Sequence, residues 1–136
     1  MKKNKIITLL LFQVFLNNIL YANTSFFEEG IKLFNNKEFD KAKFKFEQDI
    51  VFNPKNEKSY LYLSKIFNKK EKKKLEEKNL QTVILLNPKN EEATFNLAKL
   101  KLKESDFKGS KDLVEKLLIF CKDYCEKSKK LNLEIE

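Results

Sequence analysis

A chain of 136 residues with 35% charged residues, two glycines and two prolines is helix-rich and loop-poor, which excludes a disordered chain and leaves room for one domain. Every basic residue is Lys and no His is present, so His-based triads and His-ligated zinc sites are excluded. The formal charge is +8, of which Lys2, Lys3 and Lys5 supply three, and the +5 left without them is a weak bias toward nucleic acid.

Met1 to Lys5 is a short basic region, and Ile6 to Leu16 is an apolar run interrupted by Thr8 and Gln13. Ile19-Leu20-Tyr21-Ala22 follows, and Ala22 is a suitable last residue before a cut. The order basic, apolar, small predicts a cleaved secretory signal peptide over residues 1–22, and with it an exported chain in the periplasm or cell envelope. An uncleaved inner-membrane anchor over residues 6–22 is the alternative, although the stretch is short and polar for the ~20 residues a spanning helix needs.

Ser25, with Glu28 three residues on, has the form of a capping box and opens the first predicted helix. Phe26, Phe27, Ile31, Leu33 and Phe34 recur at helical spacing, and Asn35-Asn36 mark a turn. Phe39, Ala42, Phe46, Ile50 and Val51 stripe a second helix. Pro54 ends it, since proline cannot continue a helix, and Asn56 is placed to cap the next. Tyr60, Leu61, Leu63, Ile66 and Phe67 stripe a third helix, and Leu75, Leu80, Val83, Ile84 and Leu86 a fourth. Between them lies a lysine run, Lys69 to Lys74, interrupted by Glu71; it reads as a solvated turn and helix face. Pro88 and Asn90 repeat the stop and cap. Phe95, Leu97, Ala98, Leu100 and Leu102 stripe a fifth helix, and Phe107, Leu113, Val114, Leu117, Leu118 and Phe120 a sixth. Ser128, Leu131 and Ile135 stripe a charged last segment.

Asn53-Pro54-Lys55-Asn56 returns as Asn87-Pro88-Lys89-Asn90, 34 residues later. In that frame Phe26, Gly30, Leu33, Ala42, Phe46 and Pro54 fall on the slots W, G, Y, A, F and P of a 34-residue helix-turn-helix repeat, and Glu29 misses the Leu slot. Tyr60, Leu63, Ser64, Phe67, Leu80 and Pro88 take the same slots in a second unit. Glu76 stands there where a small residue is expected, a departure that argues against close helix approach at that point. Leu97, Ala98, Ser110 and Val114 fit a third unit, while Thr94, Lys101 and Lys122 depart from it. The chain therefore resembles the tetratricopeptide-repeat (TPR) family over about Asn23 to Lys122. The resemblance implies an all-α fold: a short right-handed α-solenoid of three repeats (23–56, 57–90 and 91–124) with a capping helix over 125–136. One unit cannot bury its own apolar face, so stacking supplies the core.

In TPR proteins the first helix of each unit lines a concave face. The resemblance places Phe27, Ile31 and Phe34 there, then Leu61, Lys65, Asn68 and Lys69, then Phe95, Lys99, Leu102 and Lys103. Phe27, Ile31, Phe34, Leu61 and Phe95 are expected to form one apolar strip beside a lysine-bearing side. The carboxylate-clamp pattern of the family is not matched, because Phe27 and Ile31 stand where polar residues hold a terminal carboxylate. Cys121 and Cys125 flank the last turn, either bridged or as two thiols. No phosphate loop of the form G-x-x-x-x-G-K occurs, and the carboxylates are scattered. The expectation is a non-catalytic protein-interaction module of the bacterial cell envelope, with a protein or peptide partner and without nucleic acid, metal or cofactor. A self-associating structural subunit is the second reading, and a binder of nucleic acid or anionic surfaces through Lys69 to Lys78 the third.

Overall fold

The computed structural model describes residues 25–135. The expected signal peptide or anchor lies outside them. Among the described residues there are seven helices: α1 (Phe26–Asn35), α2 (Phe39–Phe52), α3 (Glu57–Lys69), α4 (Lys73–Leu86), α5 (Glu91–Lys103), α6 (Phe107–Phe120) and α7 (Cys125–Ile135). Each odd helix pairs with the even helix after it, each pair packs on the next, and α7 covers α6. The architecture is a short helical solenoid, as the period predicts.

The helix starts follow their capping residues. Ser25 Oγ accepts from the Glu28 N–H at 3.2 Å, Asn56 Oδ1 from the Lys58 N–H at 3.2 Å, and Asn90 Oδ1 from the Ala93 N–H at 2.9 Å. The turn inside each pair is built the same way three times. Lys37, Glu71 and Ser105, spaced by 34, adopt left-handed φ of 63°, 55° and 61°. The N–H of the following residue donates 2.9 Å back to the carbonyl of Leu33, Phe67 or Lys101. This closes the end of each first helix by the usual left-handed stop, without the glycine that such a φ favours.

The core is serial. Ala42, Phe46, Leu63, Ile66 and Phe67 join the first pair to the second. Leu61, Leu80, Val83, Ala93, Leu97 and Leu100 join the second to the third. Ala98, Val114 and Leu131 seat α7. Gly30 has a steric reason: a Cβ there would stand 2.6 Å from the Phe46 ring.

Slots that depart from the repeat pattern are polar and partnered. Glu29 pairs with Lys45 at 2.6 Å, and Lys101 with Glu77 at 2.6 Å. Buried Thr94 donates to the Asn90 carbonyl at 2.9 Å. Glu76, expected to loosen its pair, is 5% exposed and accepts from Asn68 Nδ2 at 2.9 Å, so α3 and α4 still pack closely. Small Ser64, itself buried, leaves room on the facing helix. At the missing third proline, the Lys122 N–H donates to Glu91 Oε1 at 2.8 Å; proline would lack that donor.

Candidate functional site

The eleven residues expected on the first-helix face do not form one surface. Phe27, Ile31 and Phe34 are half-buried in the first core cluster. Tyr62 covers them: its ring lies edge-on to Phe27 (5.9 Å) and Phe34 (5.1 Å) and stacks on Phe46 at 5.0 Å. Leu61 is 8% exposed and faces Ala93 and Leu97 of α5, so it belongs to the inter-repeat core and not to a groove floor. Phe95 packs on Tyr124 at 5.3 Å, and Leu102 against the third cluster with Leu131. The expected continuous apolar strip is therefore broken into separate patches. Lys65 marks the break, pairing with Glu92 at 2.8 Å while lying 4.8 Å over the Tyr62 ring.

Tyr62 was missed because it sits in the apolar run Tyr60-Leu61-Tyr62-Leu63, where every residue is apolar in body and the period gives no phase. The phase comes from packing. Leu61 turns toward the following repeat and Tyr62 toward the preceding one.

The C-terminal end of α3 brings the remaining expected residues together. Asn68, Lys99 and Lys103 line a polar cavity of about 90 Å³ with Glu76, Asn96 and Leu100. Glu71 and Lys73 extend it as an open depression toward the α3–α4 turn. Burial pushes the Glu76 carboxyl above the usual range, while the Asn68 hydrogen bond and the nearby charges of Lys103 and Lys99 pull the other way. The cavity thus has one acid on its floor and two lysines at its rim.

Lys69, the next residue on α3, faces a different depression of about 480 Å³, lined also by Phe34, Asn35, Lys37 and Phe39. Its ammonium lies 5.2 Å over the Phe39 ring, and Phe34 meets Phe39 edge-on at 5.4 Å. Among the described residues Lys69, Lys99 and Lys103 make no ion pair, unlike Lys65. An apolar depression and a polar one, both bearing ammonium groups outside any ion pair among the described residues, therefore meet at adjacent residues of one helix.

Outside this region, Cys121 and Cys125 are joined in a disulfide with Cα atoms 5.3 Å apart. The same turn is held by Glu91, whose carboxylate accepts the N–H groups of Lys122, Asp123 and Tyr124 at 2.8–3.0 Å. These bonds, led by that of Lys122, lower the Glu91 carboxyl below the usual glutamate range. No described helix is long and apolar enough to cross a membrane.

Solved structures decide the fold. The first TPR domain of Spaghetti, bound to the HSP90 peptide SRMEEVD, superposes with a TM-score of 0.73 at 16% identity, covering 81% of this chain and 86% of that one. The chain has the tetratricopeptide-repeat fold. The TPR domain of Arabidopsis OM64 superposes with a TM-score of 0.74 at 16% identity, over 85% of this chain and 95% of that one. The Yersinia enterocolitica type III secretion chaperone SycD, in complex with a peptide of the translocator YopD, gives a TM-score of 0.74 at 10% identity over 81% and 88%. No protein-family model and no curated protein sequence matches the chain.

Proposed function

We propose that the chain is a non-catalytic protein-interaction module of the bacterial cell envelope, holding a partner segment against the first-helix face at the end of α3. The observation that carries the reading is the meeting of two unlike depressions at Asn68 and Lys69, with Lys69, Lys99 and Lys103 free of ion pairs. A segment with an apolar anchor for Phe34 and Phe39 and an acidic flank for the lysines fits both. Two of the similar structures hold peptides, one of them the acidic SRMEEVD. Absence of His removes the commonest general base, in keeping with a binding role. The export reading draws support from the basic-then-apolar residues 1–22 and from the Cys121–Cys125 bond, since disulfides persist in oxidising compartments.

A photo-crosslinking side chain placed at Lys69, and separately at Lys111 on the outer face of α6, tests this in cells. The expected result is a discrete adduct from position 69 alone. With that partner in hand, Phe34→Ala weakens binding more than Lys69→Ala, because apolar anchors carry affinity. Only the lysine change flattens the salt dependence, because rim charges act mainly on association. Equal adducts from both positions, or affinity unmoved by both substitutions, overturn the proposal; an adduct with a second copy of the chain supports the self-associating subunit instead.

A further inference from the structure

The floor of the polar cavity at the end of α3 is a buried acid in a slot that elsewhere holds a small residue. Glu76 stands where Ala42 and Ser110 stand in the other two units, 34 residues away on either side. It is 5% exposed, and among the described residues its one hydrogen bond comes from Asn68 Nδ2, at 2.9 Å to Oε1. Its second oxygen accepts nothing, and it is not sealed from the cavity that Glu76 lines. Asn96 lines the same cavity, half-buried, and its carboxamide also makes no hydrogen bond among the described residues. Polar groups withdrawn from water are nearly always partnered, so both point to a further polar group between them. The cavity, about 90 Å³, has room for a small one with a water or two, since a water takes up about 30 Å³ in the liquid.

The charges around Glu76 select that group. Lys99 and Lys103 face it from α5, with Glu104 at the end of that helix. Glu71 and Lys73 face it from the α3–α4 turn and the start of α4, and Asn68 from α3. Neither Lys99 nor Lys103 forms an ion pair with it. Burial raises the Glu76 carboxyl above the usual glutamate range and Glu104 adds to the rise, while Asn68 and the two lysines oppose it. A cationic group entering here meets two ammonium groups at the rim. A carboxylate meets the same two groups as partners and Glu76 as the one opponent. Ionised, Glu76 repels it; protonated, Glu76 donates a hydrogen bond to it. Two carboxyl groups in contact share one proton, because both cannot ionise side by side.

We propose that the cavity takes one Asp or Glu side chain of the partner segment, held by Lys99, Lys103 and Asn96 and by a hydrogen bond from protonated Glu76, so that binding takes up a proton. The proton comes from solvent, bonds to the free Glu76 oxygen and is shared with the incoming carboxylate; no covalent bond forms between the two molecules. For the partner itself this rests on the first-helix face being the binding face, and it adds what that face reads. The incoming charge raises the Glu76 carboxyl further. Binding therefore tightens as pH falls through the bound-state value and levels off below the free-state one. At higher pH ionised Glu76 answers the lysines itself and keeps the acid out.

Formate tests the cavity without the partner, since it is small enough to enter and stays ionised in mild acid. The full chain, isotope-labelled, is titrated with formate in mildly acidic and in neutral buffer, and the side-chain amide signals of Asn68 and Asn96 are followed by nuclear magnetic resonance. The expected result is a saturable shift of both, several-fold tighter in mild acid, with neutral formamide causing none. Glu76→Gln, which keeps a donor without the charge, binds formate equally in both buffers. Lys103→Met, at an exposed rim position where folding is not at stake, weakens formate several-fold. Unmoved amide signals, a formate affinity in the parent that ignores pH, or an equal response to formamide overturns the proposal. Formate binding of the expected kind without a crosslinked partner at position 69 leaves the cavity chemistry standing and removes the partner reading. A crosslinked partner without formate binding does the reverse.

Discussion

Glu71→Gly should stabilise the protein. Glu71 holds a left-handed φ of 55° at the stop of α3, where its backbone geometry and not its side chain fits the turn. Left-handed geometry costs an ordinary L-residue roughly 1–2 kcal/mol, and glycine has no such penalty. Glycine gives back about 0.5–1 kcal/mol because it loses more freedom on folding. The difference is a net gain of about 0.5–1 kcal/mol, or on the order of 2–6 °C in midpoint for a domain of this size. Among the described residues Glu71 makes no hydrogen bond or ion pair through its side chain, so little else is lost. Urea unfolding followed by circular dichroism measures the gain. Lys37→Gly and Ser105→Gly repeat the experiment at φ of 63° and 61°, and Lys78→Gly, at an exposed position in the middle of α4, is the control that should destabilise by about 1 kcal/mol. A loss of stability at positions 37, 71 and 105 alike would show that the three turns do not hold the geometry described here.

Leu63→Ala, at a site 4% exposed among Phe46, Ile66 and Phe67, should cost about 2–5 kcal/mol in the same assay. Glu91→Gln should lower the thermal midpoint at neutral pH. Its folded carboxyl titrates below the ordinary value of 4.5, so its contribution is present above that value and lost as pH falls through the lower one; the parent and the variant should converge in acid. That deficit should grow when Cys121 is changed to Ser, because bond and carboxylate hold one turn, and the bond itself is worth about 2 kcal/mol by loop closure. If the proposed export holds, the intact mass of protein recovered from the source cells should correspond to a start at Asn23; a mass retaining residues 1–22 refutes cleavage. Asp49→Val and Ser59→Ala should each cost about 1–3 kcal/mol by leaving partners unsatisfied, and the double variant should cost less than their sum.

The period was legible because it rests on turn chemistry that proximity in sequence enforces. Pro54 and Pro88 stop helices wherever they occur, and Asn56 and Asn90 cap them within three residues. The small slots were legible for the same reason: Gly30 and Ala42 fix how closely one pair approaches. The face of the first helices was not, because it depends on how far each repeat rolls over the last. Leu61 and Tyr62 differ by one residue, about 100° around a helix, and the contact with Phe27 and Phe34 chooses between them. The left-handed residues were also hidden. Lys37, Glu71 and Ser105 share a slot but no residue type that favours it, so the 34-residue spacing was the available signal.

The two Asn-Pro-Lys-Asn turns show why a repeat can keep its shape while its residues change. At the first, Asp49 is buried and accepts from Asn53 (3.0 Å), Asn56 (2.7 Å) and Ser59 (2.5 Å). At the second, 34 residues on, Val83 and Ala93 occupy the places of Asp49 and Ser59 and join the core. Either pair fills the same space; a mixed pair would leave a hydroxyl facing a methyl or a carboxylate one donor short. The constraint therefore acts on pairs. Glu76 with Asn68 and Lys101 with Glu77 obey it in the second and third units. Lys69, Lys99 and Lys103 make no ion pair among the described residues, although Glu76 shares a cavity with the last two. Lysines without ion pairs are common on this surface, but Lys69, Lys99 and Lys103 line the depressions at the end of α3, where an acidic segment of another molecule would meet them.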